Sequence, residues 1–168
     1  IRKGTPEDIE GLVRCQDKRS VYLNRFIAGD TCLVATINGE IAGHEWFCSG
    51  DAYIEERFLY KIKLNSDEIY SYDGFILEEH RIQGIWMKFK VDLSTLMASL
   101  GKRKVMTLID YGNELSMKTH LRFGFYPIKS VIYMNIFGWS FFKERTLSPE
   151  DNILLSNPSF PSPSRGEG

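Results

Sequence analysis

The sequence predicts an α/β protein, more strictly α+β, in which a mixed central sheet carries helices on both faces. The β-rich runs 31–37 and 41–48 flank Asn38-Gly39, a dipeptide that favours a two-residue turn between antiparallel strands. The runs 69–77 and 104–110 are separated by a long helical pattern, and strand–helix–strand connections are right-handed parallel crossovers. Antiparallel and parallel pairs together predict a mixed sheet covered by helices.

Local signals predict the remaining elements in chain order. Thr5-Pro6-Glu7-Asp8 indicates a helix start, because Thr caps, Pro suits the first helical position and acids favour the positive helix end. Apolar spacing and helix-ending glycines predict the other boundaries. The expected elements are a helix over 21–27 before Gly29, a strand over 58–64, the long helix from Ile85 to Gly101, a helix from Asn113 to Gly124 and a strand over 127–137.

Composition excludes several classes of protein. The 168 residues include 21 Lys plus Arg and 22 Asp plus Glu, a net charge of -1 that argues against a strongly electrostatic nucleic-acid binder. Apolar residues make up 43% and aromatic residues 13%, enough for a packed core. No apolar run approaches the about 20 residues that span a bilayer, so no membrane partner is expected.

The three cysteines, Cys15, Cys32 and Cys48, show no CxxC spacing. Neither a disulfide scaffold nor a zinc site is therefore predicted, and a reducing, cytoplasmic compartment fits best. The sequence begins at Ile1 rather than Met, so we expect its N-terminus to be missing or processed.

Composition also divides the chain. We expect a single domain over residues 1–147, followed at 148–168 by a Pro-, Ser- and Gly-rich tail. Such a composition buries too little apolar surface to offset chain entropy, which predicts flexibility. A ligand for a proline-binding module is the alternative interpretation of the tail.

The turn Arg81-Ile82-Gln83-Gly84 lies between a predicted strand and the long helix. A helix N-terminus offers unpaired N–H groups and partial positive charge, where a pyrophosphate can bind. Gly84 would let the backbone approach a phosphate closely, and Arg81 would add a charged donor. The alternative is an ordinary turn that happens to contain a glycine.

Two segments resemble the GCN5-related N-acetyltransferase family. Arg81 and Gly84 match its R/Q-x-x-G-x-G/A acyl-CoA motif after the fourth strand, whereas Trp86 replaces the last small residue. The segment 113–125 is similar to a second family element, matching at Asn113, Ser116 and Gly124-Phe125, with His120 where tyrosine is usual. The resemblance covers roughly residues 1–137 and implies a splayed V between the fourth and fifth strands, where acyl-CoA lies.

The resemblance implies a cofactor-binding set around these motifs. Backbone groups from Gln83 to Trp86 would hold the diphosphate, and the edge of the fourth strand would pair with the pantetheine arm. Trp86 would either point into the core or narrow the phosphate site, and Asn113 would serve the cofactor, cap its helix, or do both. The expected set is Phe75, Ile76, Leu77, Arg81, Ile82, Gln83, Gly84, Ile85, Trp86, Asn113 and Ser116.

Three residues are candidates for proton transfer. Asp73 matches a fourth-strand position where the family often carries an acid, and would serve as the base; the alternative is a solvent-facing residue near a bend at Gly74. Glu45 is a competing base. His120 would protonate the leaving thiolate, or would instead pack as an ordinary helix histidine.

The implied function is transfer of an acetyl group from acetyl-CoA, a co-substrate, to an amine of a small molecule or peptide, without a metal. A non-catalytic acyl-CoA sensor and a transferase with a larger acyl donor are the alternatives. The aromatic cluster Phe137, Trp139, Phe141 and Phe142 indicates core or lid packing, or a homodimer surface.

Overall fold

A computed structural model describes residues 1–148 of the chain. They fall into two compact units, Ile1–Leu108 and a C-terminal unit that begins at Ile109, and each is described by itself. Apart from Ser148, the predicted tail at 148–168 lies outside the described residues. The expectation of one domain over residues 1–147 stays a prediction.

The N-terminal unit follows the predicted order closely. Two helices precede a hairpin, and a third helix lies between two parallel strands. Its elements are β1 Arg2–Lys3, a 3-10 turn Pro6–Asp8, α1 Ile9–Cys15, α2 Arg19–Ala28, β2 Thr31–Ile37, β3 Glu40–Cys48, β4 Ala52–Glu55, β5 Tyr60–Lys63, β6 Glu68–Ile76, a 3-10 turn Glu78–His80, α3 Ile85–Ser99 and β7 Lys104–Met106.

Glycines at positive φ delimit two of these helices. Gly29, at φ 84°, follows α2, and Gly101, at φ 65°, follows α3. Left-handed backbone stops a helix, and glycine adopts it without the Cβ penalty. The predicted ends of both helices are thereby confirmed.

The central sheet has the strand order β1-β2-β3-β6-β7. All its neighbours pair antiparallel except β6 and β7, which are parallel and joined through α3. Strands β6 and β7 pair only over Glu68–Tyr70 and Lys104–Met106, although β6 continues to Ile76. The predicted mixed sheet and the predicted splay between its fourth and fifth strands are confirmed.

Two hydrophobic clusters lie on opposite faces of this sheet, because neighbouring residues of a strand point in opposite directions. One face packs against α1 and α2, through Leu12, Tyr22, Val34, Trp46 and Tyr70. The other packs against α3, through Leu33, Phe47, Ile69, Phe89 and Leu93. Helices therefore cover both faces, as predicted.

Two strand predictions need correction. Strand β4 was not predicted; it pairs with β5, which occupies Tyr60–Lys63 within the predicted run 58–64. Strand β7 ends at Met106 rather than at 110, and Leu108 packs against the α1 and α2 cluster instead of continuing the pairing. Residues 107–110 favour a strand by composition, but they lie outside the sheet because β6 and β7 diverge after Tyr70 and Met106.

The C-terminal unit contains α4 Glu114–Arg122, β8 Lys129–Ile136 and β9 Trp139–Thr146. The last two strands form a hairpin around Phe137-Gly138, both at positive φ, as two-residue hairpin turns require. Helix α4 and strand β8 were predicted, whereas β9, which holds most of the aromatic cluster Phe137, Trp139, Phe141 and Phe142, was not. Three of those aromatic residues belong to β9.

Among the described residues, no helix combines the length and the apolar character needed to cross a bilayer.

Candidate active site

A β-bulge interrupts β6 where it passes β3. His44 pairs with Phe75 and Trp46 with Tyr72, so Asp73 and Gly74 together oppose Glu45. Asp73 adopts φ 46°, a left-handed conformation uncommon for a non-glycine residue. Bulges re-aim side chains and are common beside active sites. Here the bulge turns Asp73 toward α2 and Gly74 toward α3.

Two cations hold the Asp73 carboxylate. Arg25 Nη1 lies 2.5 Å from Oδ2, and Lys18 Nζ lies 3.0 Å from Oδ1. Arg25 also pairs with Glu56, and its guanidinium lies 4.9 Å from the centroid of the Tyr72 ring. The negative charge of the bulge residue Asp73 is therefore neutralised by cations on the α2 side of the sheet.

This arrangement lowers the proton affinity of Asp73. Burial by itself raises the pKa of the carboxyl, but the hydrogen bond and charge of Arg25, with the charge of Lys18, outweigh it. The pKa of Asp73 therefore lies below its ordinary value. A base works best with a pKa near the operating pH, so Asp73 is a weak proton acceptor in this state.

On the opposite face, Trp86 covers the bulge. A Cβ built on Gly74 would lie 2.7 Å from the Trp86 ring, so glycine is needed for the indole to pack there. Lys90 Nζ lies 4.3 Å from the centroid of the same ring and 2.6 Å from Glu45 Oε1. Of the two predicted orientations of Trp86, the one toward the sheet is therefore observed.

Glu45, the competing base, is 1% exposed. Its Oε1 accepts hydrogen bonds from Ser71 Oγ at 2.5 Å and from Lys90 Nζ at 2.6 Å. This enclosure under α3 favours a role in anchoring the helix over direct contact with a substrate.

The turn before α3 leaves the helix N-terminus open. Gly84 caps α3 at φ 73°, and a Cβ built on it would meet no atom within 4 Å. The first N–H groups of a helix have no partner inside it, so the backbone beginning at Ile85 offers donors to an anion. Trp86 does not fill this space, because its ring lies against Gly74.

The other residues of the turn connect it to β6. Arg81 Nε donates to the carbonyl oxygen of Ile76 at 3.2 Å, which ties the turn to the end of the strand. The N–H of Gln83 is used locally, donating to the carbonyl oxygen of His80 at 3.2 Å, whereas Ile82 is 97% exposed. Among the predicted backbone donors from Gln83 to Trp86, those after Gln83 are therefore best placed for an anion.

The backbone of the segment Phe75 to Leu77 is hydrogen-bonded to β3 along one edge but is not paired with β7 along the other. On the β3 side, Leu77 N–H donates to Ala42 at 2.9 Å and Phe75 pairs with His44. On the other side, the pairing with β7 has already ended at Tyr70. An extended amide chain can therefore add to this edge, as in strand addition.

His44 stabilises the strand from the α2 side. It is fully buried, its Nε2 lies 3.1 Å from Tyr22 Oη, and burial lowers its pKa to about 4. The imidazole is therefore neutral at physiological pH, as expected for a structural hydrogen-bonding residue.

The remaining predicted residues lie in the C-terminal unit. Asn113 caps α4, its Oδ1 accepting a hydrogen bond from Ser116 N at 3.1 Å. His120 is 6% exposed, its Nδ1 lies 2.8 Å from the Ser116 carbonyl oxygen, and its ring meets Phe125 edge-on. The cap role of Asn113 is observed, and the roles of all three residues toward a cofactor stay predictions.

Sequence reasoning missed the cations of the site, namely Lys18, Arg25 and Lys90. One signal was available: Arg25 follows Tyr22 by three residues and so shares the buried face of α2, where an arginine needs acidic partners. The identity of those partners depends on contacts distant in sequence. In the described residues, His, Cys, Asp and Glu form no group of three suited to a metal ion.

Comparisons with solved structures define the fold. The aminoglycoside N-acetyltransferase AAC(6')-Iy in complex with CoA aligns with a TM-score of 0.66 and 16% identity, covering 80% of this chain and 97% of that one. A ribosomal-protein-alanine N-acetyltransferase from Brucella melitensis gives 0.58 and 17%, covering 87% and 98%. A transcriptional regulator from Bacillus halodurans gives 0.61 and 14%, covering 80% and 97%.

No protein-family model and no curated protein matches the sequence. The chain has the acyl-CoA N-acyltransferase fold. The predicted resemblance to the GCN5-related N-acetyltransferase family is thus confirmed in the fold, and at these identities the likeness establishes the fold alone.

Proposed function

We propose that this protein is an acyl-CoA-dependent N-acetyltransferase that acts on an amine of a small molecule or peptide. The observation that carries the proposal is the open N-terminus of α3 at Gly84, next to the β6 edge that β7 leaves after Tyr70. The diphosphate of CoA fits the helix N-terminus, and its amide-rich pantetheine arm fits the strand edge. Structural neighbours support it, since one is a complex with CoA and two are named as N-acetyltransferases.

Acetyl-CoA supplies an activated thioester: the amine nitrogen bonds to the carbonyl carbon, the C–S bond breaks, the amine loses a proton and the thiolate gains one. The amides from Gly84 onward hold the diphosphate, and Arg81 fixes the turn through its bond to Ile76. Asp73 remains our candidate for accepting the proton, and Glu45 the alternative. His120 is our candidate for protonating the sulfur.

A non-catalytic acyl-CoA sensor is the second candidate. The observation that favours it is the double ion pair of Asp73, because a carboxylate held by Arg25 and Lys18 is a poor base. A sensor needs only the acyl-CoA-binding features, namely the open N-terminus of α3 and the β6 edge. The enzyme and the sensor share these features.

Binding and turnover separate the candidates. Acetyl-CoA and free CoA should raise the free energy of unfolding by about 2.7 kcal/mol at a hundred-fold excess over Kd. Release of thiol with an amine panel would then establish transfer, and longer acyl donors would test the alternative of a larger acyl group. Binding without thiol release across the panel supports the sensor, whereas no stabilisation by millimolar CoA refutes both.

A further inference from the structure

A cavity of about 530 Å³, open to solvent, lies at the surface of the N-terminal unit between the C-terminal end of α2 and the turn from β3 to β4. This volume is within the range of small-molecule sites. Its wall combines apolar and polar groups, among them Ala28, Asp30, Cys48, Ser49, Tyr53 and Ile54.

Asp30 is the only formally charged residue that lines the cavity. Its carboxylate accepts a hydrogen bond from Tyr72 Oη at 2.6 Å, and burial raises the pKa of Asp30 above its ordinary value. Over residues 1–148, no ion pair involves Asp30, and the nearby Arg25 is engaged by Glu56 and Asp73. The carboxylate would therefore gain from a cation supplied by a ligand.

The surrounding backbone also favours positive charge. Ala28 and Gly29 form the end of α2, where the last carbonyl groups of a helix carry partial negative charge. The ammonium group of Lys102 is held by the carbonyl oxygens of Ser49, a residue of the cavity wall, and Ser66, each at 3.1 Å. A single carboxylate in the cavity wall suits an organic ammonium ion better than a metal ion, which needs several oxygen ligands.

One side chain connects this cavity to the candidate active site. Tyr72 reaches Asp30 through its hydroxyl, and its backbone immediately precedes the bulge residue Asp73. Tyr53, in the cavity wall, packs on Tyr72 with ring centroids 4.4 Å apart. Tyr72 thus links the wall of the cavity to the candidate base Asp73, which it precedes in the strand.

We propose that this cavity binds a second ammonium group of the amine acceptor, with Asp30 as its counter-ion. The acceptor class is then an amine that carries at least two cationic groups separated by a short chain. This inference rests on the proposed N-acetyltransferase function for the identity of its ligand as an acceptor.

Two isosteric variants test it. Asp30→Asn removes the charge but keeps an oxygen for the Tyr72 hydroxyl, and Asp51→Asn changes an exposed acid outside the cavity as a matched control. Calorimetric titration with 1,4-diaminobutane should give a Kd at least about ten-fold weaker in Asp30→Asn than in the wild type, and unchanged in Asp51→Asn. Urea unfolding verifies that both variants are folded, and Tyr72→Phe, which keeps the carboxylate, should retain diamine binding.

Steady-state kinetics provides the second measurement. Asp30→Asn should raise KM for 1,4-diaminobutane at least about ten-fold with kcat nearly unchanged, and leave KM for n-butylamine unaltered. Two results would overturn the inference while CoA binding leaves the proposed function standing. In one, the diamine binds Asp30→Asn as tightly as it binds the wild type; in the other, the diamine binds neither protein. If the diamine binds through Asp30 but CoA does not bind, the cation site stands and the proposed acetyltransferase, with the acceptor role of this site, fails.

Discussion

Gly84 provides the sharpest test of the diphosphate site, because its effects on folding and on binding are separable. The change is Gly84→Asn, since asparagine tolerates left-handed backbone better than other residues with a Cβ. The matched control is Gly101→Asn at the other end of α3. The two glycines have φ of 73° and 65°, and a Cβ on either would meet no atom within 4 Å.

The structure sets the expected magnitudes. Neither substitution creates a clash, so each should lower the free energy of unfolding only by the left-handed strain, at most about 1 kcal/mol. At Gly84, however, the new side chain occupies the space in which we place a phosphate, beside the first N–H groups of α3. We therefore expect Gly84→Asn to weaken CoA binding at least about ten-fold, equivalent to about 1.4 kcal/mol.

Urea unfolding and calorimetric titration with CoA, on the wild type and both variants, measure the two effects. Equal CoA affinity in the two variants would refute the assignment of the phosphate site to this helix end. A much larger loss of stability in Gly84→Asn than in Gly101→Asn would show that Gly84 matters for packing instead.

Three further predictions concern the charged and titratable residues of the site. Lys90→Met should lower the free energy of unfolding in urea by about 3 kcal/mol, because it leaves the buried carboxylate of Glu45 without its counter-ion. Adding Glu45→Gln should restore part of the loss, and additive losses would contradict the pairing. The lowered pKa of Asp73 means that its ionised form stabilises the fold above the unfolded pKa of about 3.9, a contribution lost as the pH falls through the folded pKa. Acid unfolding should accordingly show a weaker pH dependence below about pH 5 in Asp73→Asn than in the wild type, and identical slopes would refute the ion pairs. His120→Phe should reduce thiol release by about a hundred-fold or more with CoA affinity unchanged, and an unaltered rate would dismiss His120 as the acid.

Much of the fold was predictable because it depends on residues close together in the chain. The Asn38-Gly39 turn, the helix ends at Gly29 and Gly101 and the crossover through α3 all follow from local conformational preferences. The errors have a physical cause as well. Strand β4 is only four residues long, and the length of β7 depends on where its neighbour stops pairing rather than on its own composition.

The candidate site also has a part that could be predicted from the sequence and a part that could not. Gly84 and the start of α3 were recognisable, since a turn between a strand and a helix needs few residues to define it. The environment of Asp73 was not recognisable, because Arg25 lies 48 positions earlier in the chain and Lys18 lies 55 positions earlier. The left-handed conformation of a non-glycine residue gives no pattern in the sequence either.

By itself, the sequence determined most of the helices and strands, their order, and the glycine that precedes the long helix. Only the tertiary structure decided which way each side chain of the bulge points, and hence that Asp73 meets two cations and that Trp86 lies on Gly74. The physical reason is that hydrophobic periodicity and turn preferences act over a few residues, whereas charge pairing and close packing depend on distances that the folded chain alone creates.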